Sequence, residues 1–223
     1  MEHPINLFVD NTNEVLNLYL IHETVTGERP GRRYNVEVLN KSCIVLLTAC
    51  WEAFVEDTAS IAFEFLIDNS QDNRRMPKEV RKKVASWIKG DKNELRMWDL
   101  AGEGWKSIFR EHKQKVLSSF NTPKAGNVDD LYKELLGLAN LSEKWHWPGM
   151  PADKARERLA EYIDLRGSIA HRVKASKKVH KRTVEHYQVF ITRLAGHTSN
   201  LTSNYINELV GKRPWTLTPI GIS

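Results

Sequence analysis

Only two cysteines, Cys43 and Cys50, occur in 223 residues. Seven positions apart on one helix, they would share a face yet stand roughly 10 Å apart along the axis, too far to bridge each other. No CxxC pair, Cys/His cluster, HExxH or other Asp/Glu/His set stands at ligand spacing, so neither a metal nor another cofactor is expected. A reduced, intracellular and cytoplasmic setting is the simplest expectation. The first fifteen residues, "MEHPINLFVDNTNEV", lack the basic and then apolar regions of a secretory leader. The longest apolar run, "CIVLLTACW", is about half of what a membrane span needs and ends at Glu52, so no membrane association is expected. Internal repeats, low-complexity tracts, a Gly-rich phosphate loop and a convincing strand pair are missing as well. Nor is charge heavily one-sided: 33 Lys and Arg against 28 Asp and Glu give +5, a mild lean toward polyanions. With 41% hydrophobic and 27% charged residues, the chain has the make-up of an ordinary globule with room for a real core.

What is present is helical periodicity almost throughout. His3 to about Thr26 has Leu7, Val15, Leu18 and Ile21 at helical spacing and ends in the turn "TGERPG". Tyr34 to about Ile67 reads as one long helix, apolar nearly all round from Cys43 to Phe54, which predicts a place at the centre of a bundle. Pro77 fits the first turn of a short basic helix, "PKEVRKKVASWIKG". Between Asp91 and Gly126 helical spacing is interrupted at Gly102 and Gly104, and Asn127 reads as the cap of "VDDLYKELLGLANL". "WHWPGMP" is a turn. Helices follow from about Ala152 to Val173 and from about Lys181 to Val210, then an extended tail that either folds back or hangs loose. The expectation is an all-α helical bundle, one domain over residues 1–211 with an inserted helical middle region at about 70–150, and a tail at 212–223.

The stretch "YIDLRGSIAHRV", residues 162–173, sets Arg166 into an apolar seam made by Leu159, Tyr162, Ile169 and Val173. A guanidinium there is paired, faces a wet cleft or an anionic ligand, or reaches out at the seam's edge. His171 lies on another stripe: five residues of helix turn it roughly 140° from Arg166 and carry it about 7.5 Å along the axis. One straight helix cannot aim both at a single phosphate from one side, whereas two copies meeting across a symmetric groove can. Gly167, Ser168 and Ala170 keep the surface between them small, either for a partner's approach or merely to relieve crowding. Directly after comes "RVKASKKVHKR", with Arg172, Lys174, Lys177, Lys178, Lys181 and Arg182 and no acid. Such a run is a solvated face or a grip for a phosphate backbone. A second basic cluster runs from Arg74 to Lys83. On the long helix, Thr48, Glu52 and Glu56 form a polar line, either a wet face or a carboxylate partner for Arg166. Ser168, Asp164 and His171 share one helix stripe with no strained nucleophile turn, so they do not read as a triad.

Arg166 and His171, with four residues between them on a late long helix, resemble the signature of the HEPN superfamily, many of whose members are metal-independent endoribonucleases. "LLTACWEAFVEDTA" is similar to the early core helix of the RiboL-PSP type, with its aromatic–Glu pair. The resemblance takes in the first two and last two helices and leaves residues 70–150 unmatched. Gly167 stands where many catalytic members carry a polar residue after the arginine.

The resemblance implies catalytic roles for Arg166 and His171 only, with Glu52 a weaker, supporting match; Ser168 is taken as a second supporting residue, and the basic run is expected to hold RNA. It implies a homodimer with a composite active site, cleavage by a ribose 2′-OH to a 2′,3′-cyclic phosphate, and a toxin or antiphage effector restrained by an inhibitory or antitoxin partner. A non-catalytic domain of the same type, binding nucleic acid or a nucleotide, and a helical protein-interaction module remain the alternatives.

Overall fold

The computed structural model describes residues 3–26, 37–172 and 178–219. Among these it is all-α, with seven α-helices: α1 Pro4–Thr26, α2 Glu37–Asp68, α3 Lys78–Lys89, α4 Gly104–Ser119, α5 Ala125–Leu136, α6 Ala152–Arg172 and α7 Lys181–Val210. Three short 3-10 segments lie between them, at Asn73–Arg75, Glu94–Leu100 and Leu141–Lys144.

The run that is apolar all round becomes the axis of the bundle, as its pattern requires. α2 touches α1, α4, α5, α6 and α7. Ile44, Trp51, Val55, Ala59, Ala62, Phe63, Leu66 and Ile67 are fully enclosed on its several sides. By length and composition α2 could cross a membrane, but half of its apolar stretch is buried inside the bundle. Cys43 and Cys50 are buried free thiols on this helix. Burial pushes the Cys43 thiol up to about 11.

Residues 70–150 build part of the core. Trp105, Ile108 and Phe109 of α4 and Val128, Tyr132 and Leu135 of α5 are buried in the same cluster as α2. The Trp51 indole N–H donates to the Pro123 carbonyl at 3.0 Å, and Trp145 meets the Trp51 ring edge-on at 6.0 Å. The Tyr132 hydroxyl donates to Val55 O at 3.3 Å beside Thr58 and Thr202, where α2, α5 and α7 meet. On the outer side, Glu64 of α2 accepts from Arg110 at 2.7 Å and from Lys113, both on α4.

Several boundaries differ from the sequence expectation. Asn127 is not a cap: α5 begins at Ala125, and the Asn127 amide donates to Asn121 O and Thr122 O, closing the preceding turn instead. The same helix stops at Leu136 because Gly137 turns left-handed, with φ 73°. Gly104 opens α4 rather than interrupting a helix, and Pro77 precedes α3 instead of lying in it. In α1 the core position falls on Phe8, 1% exposed, while Leu7 is 40% exposed.

The tail folds back. Trp215 is buried, its carbonyl accepts from Ser203, and Asn200 pairs with the Thr218 backbone through both amide atoms, at 2.9 and 2.8 Å.

Candidate functional site

α6 carries Arg166 and His171 near its C-terminal end, and its packing explains their different fates. Ala155, Leu159, Ile163 and Ile169 are buried against the bundle, and the Tyr162 ring stacks on Tyr187 of α7 at 3.9 Å. Arg166 falls in line with them and is half-buried, while His171 is exposed one residue before the helix ends. Among the described residues neither side chain makes a hydrogen bond or an ion pair. Among the described residues no carboxylate compensates this half-buried guanidinium, and folding alone does not favour a buried charge left so.

The carboxylates considered for Arg166 do not reach it. Thr48 is buried, bonded to Ile44 O and, at 3.0 Å, to the Tyr187 hydroxyl. Glu52 and Glu56 are half-buried farther along α2, and neither forms an ion pair among the described residues. Burial pushes the Glu56 carboxyl up, and the charges of Glu52 and Asp57 push the same way, so this is an acidic patch with no cation paired to it among the described residues.

Ser168 and Asp164 are occupied elsewhere. The Ser168 hydroxyl donates to Leu165 O at 2.8 Å, and Lys124 holds Asp164 at 2.6 Å. That leaves no relay from either to His171.

The basic run after α6 lies partly outside the described residues: Lys174 and Lys177 do, and so does Val173 of the seam. Arg172 is described only in its backbone, as the last residue of α6. Lys178 and Arg182 are exposed, Lys181 is half-buried, and the Arg182 Nε–H donates to His186 at 3.3 Å. Where the run meets α7 it is pinned to the start of α2. Val179 is buried, and the Asn40 side-chain amide donates to its carbonyl at 3.1 Å. The Lys41 hydrogen bond holds the Glu37 carboxyl below the usual carboxylate range, with Val179 and Lys178 adding to it. This anchor is not written in any local pattern, because Asn40 and Val179 meet only when α2, α6 and α7 have assembled.

Beside the pair lies an open groove of about 430 Å³ lined by Val38, Lys41, Ser42, Val45 and Leu46 of α2 and Ile169 of α6. Val38 is 62% and Leu46 42% exposed, so α2 keeps an apolar stripe uncovered at the end where Arg166 and His171 stand. Periodicity could not separate Leu46 from its buried neighbour Leu47, since the whole run is apolar. Among the described residues no three His, Cys, Asp or Glu side chains converge as metal ligands would.

A model of the family described as RiboL-PSP-HEPN matches residues 6–204, running through the middle region as well as the outer helices. No curated protein and no solved structure matches the chain.

Proposed function

This chain belongs to the RiboL-PSP-HEPN family, and from that premise we infer that it is an endoribonuclease that cuts RNA without a metal. The observation that carries the reading is Arg166, a half-buried cation with no partner among the described residues, on the same helix end as an exposed His171. The ribose 2′-OH attacks the adjacent phosphorus, the 5′ oxygen departs, and a 2′,3′-cyclic phosphate remains. His171 moves protons, taking one from the 2′-OH or giving one to the leaving oxygen, a task suited to an imidazole near neutral pH. Arg166 stabilises the charge gathering on the phosphoryl oxygens, a contact worth a few kcal/mol. DNA lacks the attacking hydroxyl and survives.

The two side chains leave α6 in directions roughly 140° apart, so the composite site requires two copies. The uncovered stripe of Val38, Leu46 and Ile169 beside them supports an isologous dimer through α2 and α6. Lys178, Lys181 and Arg182 lie on the flank and hold the RNA backbone, with Arg172, Lys174 and Lys177 of the same run. Two buried free cysteines suit a reducing, cytoplasmic compartment. The role is that of a toxin or antiphage effector held in check by an inhibitory partner.

Purified protein incubated with tRNA or total RNA in EDTA should yield fragments ending in 2′,3′-cyclic phosphate. Arg166→Ala and His171→Ala should each abolish cleavage with the fold intact. Cleavage retained in both variants would end the reading. RNA bound but never cut by the wild type would move it to a non-catalytic member of the family.

A further inference from the structure

The seam between α6 and α7 continues away from Arg166 toward the start of α6, and it changes character there. Phe190 of α7, 3% exposed, forms a floor. Three groups stand around it: the Trp147 ring at 6.1 Å, the Tyr162 ring at 6.0 Å, and the Arg158 guanidinium at 6.0 Å from the ring centre. Each rim ring has one neighbour already, Trp147 stacking on His197 at 5.0 Å and Tyr162 on Tyr187, and both remain partly exposed. Trp147 is presented by a closed turn. The Trp147 N–H donates to Met150 O and the Met150 N–H donates back to Trp147 O, while Gly149 takes the left-handed conformation. An aromatic rim fixed in this way is already organised before anything binds.

Charge extends the pattern. Arg158, Tyr162 and Arg166 recur every four residues along α6, so the backbones of the two arginines stand about 12 Å apart along the axis, a span of about two nucleotides of extended strand. Arg158 is exposed and, like Arg166, forms no ion pair among the described residues. Glu161 is the neighbouring acid that bears on Tyr162. Cations spaced along one helix with partly exposed aromatic rings between them are the equipment of single-strand nucleic-acid binding, where phosphates meet arginine and bases meet π faces.

We propose that the α6–α7 seam is a track for one unpaired RNA strand, in which Trp147 and Tyr162, over the Phe190 floor, hold a base and Arg158 holds a phosphate about two nucleotides from the one engaged by Arg166. The track rests on the RNA-cleaving reading of Arg166 and His171 for the position of the scissile bond. It assigns Trp147, Tyr162 and Arg158 to binding and to base preference.

The experiment uses the full chain in a His171→Ala background and a fluorescein-labelled unpaired RNA of about twelve nucleotides, followed by anisotropy. Trp147→Ala should weaken binding about ten-fold, with Trp147→Phe restoring most of it. Arg158→Ala, an exposed substitution that leaves the fold alone, should weaken binding several-fold and flatten its salt dependence. Binding of a duplex of equal length should not change in either variant. Wild-type binding lost through Trp147→Ala in a protein that never cuts RNA would keep the track and discard the cleavage reading. Unchanged binding in both variants, with an unchanged KM when the same two substitutions are made in the chain that keeps His171, would discard the track alone. Failure of the unsubstituted background to bind the oligonucleotide would overturn it outright.

Discussion

Replacing Glu64 by glutamine should destabilise the protein by about 2 kcal/mol. Glu64 receives hydrogen bonds from Arg110 and Lys113 of α4. The Lys113 side chain is only 8% exposed, against 27% for Glu64 and 41% for Arg110. Glutamine keeps the shape and one acceptor but leaves the Lys113 ammonium enclosed without a counter-charge. Breaking a buried pair costs about 3–5 kcal/mol, and the partial exposure of Glu64 brings the figure below that range. The exposed Arg110 contact adds at most a few tenths. For a chain of this size the expected fall in Tm is about 4–8 °C by scanning calorimetry. Removing both charges, Glu64→Gln with Lys113→Met, should recover more than half of the loss.

The effect should also depend on pH. Burial alone would raise the Glu64 carboxyl, but the hydrogen bonds from Lys113 and Arg110 outweigh it and hold it below the usual carboxylate range. A folded value lower than the unfolded one means the stabilisation is complete above the ordinary carboxylate pKa and disappears as pH falls through the lowered one. The Tm gap between wild type and Glu64→Gln should therefore be full at pH 7 and close at acid pH. A Glu64→Gln protein melting with wild type at pH 7, or a gap that persists unchanged in acid, would refute this account.

Other perturbations reach different parts of the molecule. Leu46→Glu, in the uncovered groove, should turn a dimer into a monomer by light scattering and abolish cleavage. Its melting temperature should change little, because Leu46 is already 42% exposed in the single chain. A wild type that cuts RNA as a monomer would remove the composite site. Gly137→Ala should cost about 2–3 kcal/mol in thermal melts: the position has φ 73°, and an added Cβ would sit 2.6 Å from the Pro77 Cβ. Little or no loss there would mean that the turn and Pro77 move apart freely.

How far the sequence announced this structure varies along the chain. The central place of α2 was legible because an apolar surface on all sides leaves a helix no solvent face. The place of Arg166 in line with Leu159 and Tyr162 was legible from the seam, whereas how far its side chain reaches out was left open between a cleft and the seam's edge. The start of α5 was misjudged because Asn127, a favoured cap residue, spends its amide on the backbone of the preceding turn. The partners proposed for Arg166 on α2 were a matter of register between helices, which periodicity does not determine. The same holds for the anchor at Asn40 and Val179 and for the rim around Phe190. Each joins residues distant in the chain, and each of those residues taken alone looks like ordinary core or ordinary surface.

The contacts around Pro123 have a consequence for any attempt to pare the protein down. The carbonyl of Pro123 satisfies the Trp51 indole at the middle of α2, and the next residue, Lys124, reaches across to Asp164, two positions from Arg166. Cutting out residues 70–150 to leave a minimal four-helix domain would strand that indole, free Asp164, and strip the Trp145 ring from Trp51. The segment that looks like an optional graft is a keystone, and a shortened version would lose the alignment of the helix that carries the arginine.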